Sequence, residues 1–127
     1  MKKLSIVIPA FNEEKTIHLI LQKILKVELI ENLEKEIVIV DDCSRDNTKE
    51  FIQSFIEVNN AHEIKLFAHE KNMGKGAALK TGIIHATGDY IVIQDADLEY
   101  DAEEYNILLK PILSGVADVV YGSRFMG

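Results

Sequence analysis

Asp95-Ala96-Asp97 follows directly on the apolar run Tyr90-Ile91-Val92-Ile93-Gln94. Two carboxylates one residue apart, where a buried strand runs out into a loop, can hold a divalent cation and, through it, a diphosphate. Eight aspartates in 127 residues give roughly an even chance of one Asp-x-Asp, so the spacing alone is a weak signal. Its position carries the weight, because open α/β sheets bind ligands at the carboxyl ends of their strands. Glu99 brings a third carboxylate within reach of the same ion. Hard oxygen donors of this kind select Mg²⁺ or Mn²⁺ over softer metals. The structural alternative is an acidic loop whose carboxylates cap a helix, a task for which Asp101, Glu103 and Glu104 are also placed.

Three further groups have chemistry in them. Asp41-Asp42 ends the run Ile37-Val38-Ile39-Val40; an acid there can bind a ribose or base, or serve only to close the turn through Ser44. Asn72-Met73-Gly74-Lys75-Gly76 opens a helical stretch, and free N–H groups with a lysine at a helix start suit a phosphate. It is not a Walker loop, since Gly-x-x-x-x-Gly-Lys-Ser/Thr is missing, and a plain turn with a solvated lysine is an equal reading. Arg124 in Gly122-Ser123-Arg124 has the fork to clamp a phosphate, or lies in solvent. His18, His62, His69 and His85 are scattered without metal-ligand spacing and read as surface or partly packed imidazoles.

The elements that must position these groups alternate throughout. Leu4 to Ile8 reads as a strand ended by Pro9, and Asn12 as the cap of a helix from about Glu13 to Lys26. Glu36 to Val40 is a second strand, too continuously apolar for a one-sided sheet. Asp46 or Ser44 caps a helix over Thr48 to Val58 with Phe51, Ile52 and Phe55 inward. A strand over Ile64 to Ala68, a helix over Lys75 to Ala86 stopped near Gly88, and a strand over Tyr90 to Gln94 follow. Glu103 to Leu113 and Ala117 to Tyr121 complete the series as helix and strand. The β-α alternation predicts one domain over 1–127: a doubly wound, mostly parallel sheet in three α/β/α layers.

Composition narrows the function classes. The net charge of −7, without a Lys/Arg cluster, argues against a nucleic-acid surface. An acidic protein still binds an anionic nucleotide if a metal and local cations offset the charge. Cys43 is the single cysteine, which fits a reducing compartment. No run approaches the roughly 20 apolar residues of a membrane span, and the start is too quickly broken for a signal peptide. The expected location is cytoplasmic, at the inner membrane face for a full-length protein.

In order, Ser5-Ile6-Val7-Ile8-Pro9-Ala10-Phe11-Asn12-Glu13-Glu14, Val40-Asp41-Asp42-Cys43-Ser44-Arg45-Asp46-Asn47-Thr48, Asn72-Met73-Gly74-Lys75-Gly76-Ala77-Ala78, Asp95-Ala96-Asp97-Leu98-Glu99-Tyr100 and Gly122-Ser123-Arg124 resemble a family 2 glycosyltransferase with a GT-A, Rossmann-like fold. The last two are most similar to the polyprenyl-phosphate (dolichyl- or undecaprenyl-phosphate) mannosyl- and glucosyltransferases. The resemblance implies inverting transfer of a hexose from a nucleotide-diphosphate sugar to an acceptor, with a lipid phosphate among the candidates. It implies that Pro9, Ala10, Phe11 and Glu13 line the nucleoside, that Asp42 reads the base, and that Lys75 lies near the nucleotide, with Val40 and Ala96 also in the donor site. Asp95 and Asp97, helped by Glu99, would hold the metal; Asp97 and Arg124 would be the catalytic pair.

Members of that family are longer, so this chain is expected to be the donor-binding part, truncated at its C-terminal side. The family's later strand, inserted between the fourth and fifth of this count, would be missing. The fifth strand must then pair differently, stay unpaired or borrow a partner, and an unpaired edge favours homo-oligomers.

Three rivals share some of these features. A Rossmann dehydrogenase wants Gly-x-Gly-x-x-Gly after the first strand, where this chain has Pro9-Ala10-Phe11-Asn12-Glu13-Glu14. A haloacid-dehalogenase-type phosphatase carries its Asp-x-Asp after the first strand, not the fourth. The main alternative is a phosphoaspartate receiver module, a signalling protein; its acidic pair would also follow the first strand.

Overall fold

In the computed structural model, which describes residues 2–96 and 105–107 together with the backbone of 120–121, strands and helices alternate as the patterning predicts. The strands are β1 (Lys3–Ala10), β2 (Glu34–Asp41), β3 (Ile64–Ala68), β4 (Tyr90–Ile93) and β5 (Val120–Tyr121). The helices are α1 (Ile17–Lys26), α2 (Thr48–Asn59) and α3 (Lys75–His85), with a short 3₁₀ turn over Ile30–Asn32. All strand pairs are parallel, in the order β3-β2-β1-β4-β5. The chain steps outward from β1 to β3 and then returns to lay β4 on the other side of β1. Loops after β1 and β4 therefore diverge, and a crevice opens at that reversal.

Both faces of the sheet are covered, which is why its central strands read as unbroken apolar runs. Leu4, Ile6 and Ile8 of β1 and Ile37 and Ile39 of β2 share a core with Ile17, Ile20, Leu21 and Ile24 of α1 and Ile52 and Phe55 of α2. The alternate residues Val7, Val38 and Ile93 form a second core with Leu79 of α3 on the opposite face. The result is the expected three-layer, doubly wound arrangement. At Gly82 of α3 a Cβ would collide with Cγ1 of Val7, so helix and sheet meet there at the closest approach the backbone allows.

Several boundaries differ from the sequence reading, each for a local reason. β1 does not stop at Pro9 but runs to Ala10, pairing Pro9 with Val40 and Ala10 with Asp41. The Val7 carbonyl faces β4, where it accepts the Gln94 N–H at 2.9 Å. Two residues on, the N–H that proline lacks falls on that same side, beyond the last β1–β4 pair, Val7 with Ile93. Helix α1 starts at Ile17 rather than Glu13, because Asn12 sits at φ 53° and uses its side chain to accept the Arg45 N–H at 2.9 Å. Phe51, expected inward, is 43% exposed, whereas Ile52 and Phe55 are buried. β5 pairs directly with β4, Val92 with Val120 and Ile93 with Tyr121. Residues 105–107 are helical; the rest of the fourth helix and the start of the fifth strand lie outside the described residues. No helix among the described residues is long and apolar enough to cross a membrane.

At the N-terminal edge of the sheet Glu36 is buried yet fully partnered. It accepts Ser5 Oγ at 2.6 Å, the Thr87 N–H at 2.8 Å and Thr87 Oγ1 at 2.7 Å, and pairs with Lys65 Nζ at 2.5 Å. Burial pushes its carboxyl up, but Lys65, Ser5 and Thr87 together outweigh that and bring it down to about 2. A carboxyl depressed on folding stabilises the native state above its unfolded value, here 4.5, and that stability disappears as pH falls through the folded one. Urea midpoints measured from pH 6 to pH 2 should therefore decline, and more shallowly in Glu36→Gln than in the parent protein. Equal slopes would assign the acid sensitivity to other carboxylates.

Candidate functional site

The carboxyl ends of β1, β2 and β4 and the start of α3 enclose a crevice of about 580 Å³. Eight of the residues expected to bind a donor line it: Pro9, Ala10, Phe11, Glu13, Asp42, Lys75, Asp95 and Ala96. Val40 does not. It is wholly buried, and strand alternation turns its side chain toward Gly82 of α3, where a Cβ would come within 3.4 Å of it; it belongs to the core. Asp97, Glu99 and Arg124 lie outside the described residues.

The loops after β1 and β2 are laced together, which fixes one wall. Ser44 Oγ accepts the Asn12 N–H at 2.9 Å, Thr48 Oγ1 accepts the Glu13 N–H at 2.8 Å, and Glu14 Oε2 accepts the Asn47 N–H at 3.1 Å. The cap position of α2 falls on Asn47, which makes no side-chain cap bond, rather than on Asp46 or Ser44; Asp46, one residue earlier, accepts the Thr48 N–H at 3.0 Å. Thr16 donates to Glu13 Oε2 at 3.2 Å and reaches the Ala96 carbonyl at 3.5 Å, tying this wall to the loop after β4.

The adjacent acids Asp41 and Asp42 part company. Asp41 turns back to accept the Ser44 hydroxyl and, at 3.4 Å, the Ser44 N–H; it closes the turn and leaves the crevice to its neighbour. Asp42 is 3% exposed and takes the Met73 N–H at 2.9 Å on Oδ1, the Gly74 N–H at 2.8 Å on Oδ2 and His69 Nδ1 at 2.8 Å. Burial pushes its carboxyl up, but His69 and the two backbone donors prevail and the net shift is downward. The carboxylate is therefore ionised at neutral pH.

This arrangement changes the reading of the segment 72–76. Two N–H groups that the sequence offered to a phosphate, those of Met73 and Gly74, are already held by Asp42. Gly74, at φ 95°, is the turn residue that only glycine adopts without strain, and α3 begins immediately after it without a side-chain cap. What the turn delivers is Lys75, whose Nζ lies 2.7 Å from Asp95 Oδ1. Asp95 is buried at the crevice, and its carboxylate offers the hard oxygen donors that Mg²⁺ and Mn²⁺ select. Of the expected metal ligands it is the one described, and no group of three acids, histidines or cysteines gathers among the described residues. Its oxygen chemistry and its place at the crevice fit a divalent cation.

Two contributors escaped the sequence reading. His69, expected as a surface or partly packed imidazole, bridges Asp42 and Thr81; the available signal is its position one residue beyond β3, at the same edge as the other loops. Gln94 is buried, donates to the Asp95 carbonyl at 2.8 Å and accepts the Tyr105 hydroxyl at 2.8 Å. That pair ties residues 105–107 to the strand end carrying Asp95.

Residues 5–127 match glycosyl transferase family 2. A dolichyl-phosphate beta-glucosyltransferase of Trichomonas vaginalis is 35% identical over 95% of the chain and 40% of its own length. A dolichol-phosphate mannosyltransferase of Pyrococcus furiosus is 33% identical over 98% of the chain and 34% of its own. The chain thus spans well under half the length of the curated relatives it matches. Among solved structures, a Pyrobaculum calidifontis mannosyltransferase in complex with GDP-Man and Mn²⁺ superposes with a TM-score of 0.71 at 30% identity, covering 81% of this chain and 30% of that one. TarS of S. aureus in complex with UDP gives 0.74 at 27% identity, covering 88% and 32%. The receiver alternative is overturned, since the match runs nearly end to end and the acidic pair follows β2.

Asp42→Asn preserves shape but turns one acceptor into a donor facing an N–H or a ring nitrogen. At least one buried hydrogen bond is lost, so unfolding free energy should fall by about 1–3 kcal/mol in urea titrations. A midpoint unmoved by the substitution would show that the 72–74 turn stands without the carboxylate.

Proposed function

The chain belongs to glycosyl transferase family 2, and from that membership and the crevice we propose that it forms the donor-binding part of an inverting glycosyltransferase. The reaction moves a hexose from a metal-bound nucleoside-diphosphate sugar to an acceptor oxygen. The observation that carries the proposal is the convergence of Asp42, Lys75 and Asp95 on one crevice beside the loop after β1.

The donor is divided among these groups. Pro9, Ala10, Phe11 and Glu13 border the nucleoside. Asp42 accepts three hydrogen bonds within the protein, and an ionised carboxylate has about four acceptor positions. The one remaining suits a base edge with a ring N–H, as in uracil or guanine. Asp95 and Asp97, with Glu99, would hold Mg²⁺ or Mn²⁺ at the diphosphate, with Ala96 beside them in the donor site. When bound, the ion neutralises the charge that develops on the departing nucleoside diphosphate. Lys75 adds a second positive charge at the crevice, and Arg124 would serve the phosphates or the acceptor. The names of the relatives support a polyprenyl phosphate as acceptor. Such an oxygen is already ionised at neutral pH and needs no general base. The active enzyme works at the cytoplasmic membrane face, where that lipid is met, and the sheet edge offers a surface for a second copy.

Calorimetric titration of the chain with UDP, GDP and CDP, each with and without Mn²⁺, tests the reading. One of the three should bind in a metal-dependent manner, and Asp97→Asn should remove the metal-dependent increment. A folded protein that binds none of them would refute the donor site.

A further inference from the structure

We propose that His69 is a positioning residue for the donor site: by holding the Asp42 carboxylate it fixes the 72–74 turn, and with it the point from which Lys75 enters the crevice. The functional half of this inference rests on the donor-site reading above. His69 is not among the residues lining the crevice, so whatever it does there it does through Asp42.

His69 is anchored at three points, two of them on the ring. Its backbone N–H donates to the Asp41 carbonyl at 2.9 Å, extending the β2–β3 pairing by one residue and setting where the side chain starts. Nδ1 lies 2.8 Å from Asp42 Oδ1, and Nε2 lies 2.8 Å from Oγ1 of Thr81, two turns into α3. An ionised carboxylate only accepts, so Nδ1 carries the proton; in the neutral ring Nε2 then accepts the Thr81 hydroxyl. The imidazole side chain is nearly enclosed, at 10% exposure.

A closed path results. It runs from Thr81 on α3 through His69 to Asp42, and from Asp42 to the Met73 and Gly74 N–H groups at the start of that same helix. The helix is thereby held at two points along its length against the ends of β2 and β3. Its first residue is Lys75, which meets Asp95 in the loop after β4. Without the ring, Asp42 loses the group that orients it, and the turn it grips is free to change its conformation.

The side-chain amide of asparagine can replace Nδ1 as donor to Asp42 but cannot span to Thr81. His69→Asn should therefore rescue what His69→Ala loses. Amide exchange read by NMR needs no ligand: the Met73 and Gly74 amides should exchange about tenfold faster in His69→Ala and close to the parent rate in His69→Asn. The Kd of the nucleotide that binds with Mn²⁺ should rise about tenfold in His69→Ala and less than about threefold in His69→Asn. A folded His69→Ala with parental exchange at both amides overturns the proposal, as does His69→Asn behaving no better than alanine. If His69→Ala does not fold, His69→Leu, which fills the space without a donor for Asp42, should still speed exchange at the two amides, and an unchanged rate overturns it. Absence of nucleotide binding in the parent protein would fell the donor reading, whereas the exchange rates would still decide whether His69 holds the turn.

Discussion

The ligand edge of this molecule depends on β1 having a parallel partner on each side. Pairing with β2 runs its full length, from Lys3 to Ala10, whereas pairing with β4 ends at Val7. Three residues of β1 therefore continue beside one neighbour only, and the space vacated by the other becomes the crevice. Proline at position 9 suits this asymmetry, since its missing donor faces the side on which no strand continues. Because the chain reverses its winding direction at the same place, the loops after β1 and β4 have nowhere to lie except apart.

Charge at this edge is organised by carboxylates that are already satisfied. In a chain of net charge −7, an anionic ligand would be repelled by free acids, yet among the described residues each buried acid at this edge faces donors or a cation. Asp41 closes a turn, Asp42 grips the start of α3, and Asp95 faces Lys75. Their negative charge is spent on backbone N–H groups and on an ammonium, which leaves the crevice far less hostile to phosphate than its composition implies. The same logic operates at the opposite edge, where Glu36 is buried among Ser5, Lys65 and Thr87.

What could be read in advance were the features that depend on order along the chain. Burial on both faces writes continuous apolar runs into β1 and β2, and the strand ends then list the crevice residues almost in sequence, from Pro9 through Asp95. Features that depend on side-chain direction were hidden. Asp41 and Asp42 are indistinguishable as letters; strand alternation sends them to opposite sides, and the turn at Cys43, φ 58°, brings Ser44 back to Asp41. Val40 precedes them on the same strand, but pleating points it into the core. The start of α1 was misplaced because Asn12, a good capping residue, is engaged by the loop after β2. His69 carries no spacing signal at all; its importance comes from Thr81 and Asp42, 12 and 27 positions away.

Gly82 sits well inside α3, away from any nucleotide, and yet it governs the crevice. With no room for a methyl between that helix and Val7, the layer spacing there has no slack: the helix can neither sink further nor be shimmed outward without dislodging core residues. Lys75 lies seven residues up the same rigid rod, roughly 10 Å away. Any bulk introduced at position 82 would act as a wedge under a lever, and its far end would be felt where the ammonium meets Asp95. Selection on the chemistry of the mouth would thus be recorded as intolerance of side chains deep in the wall.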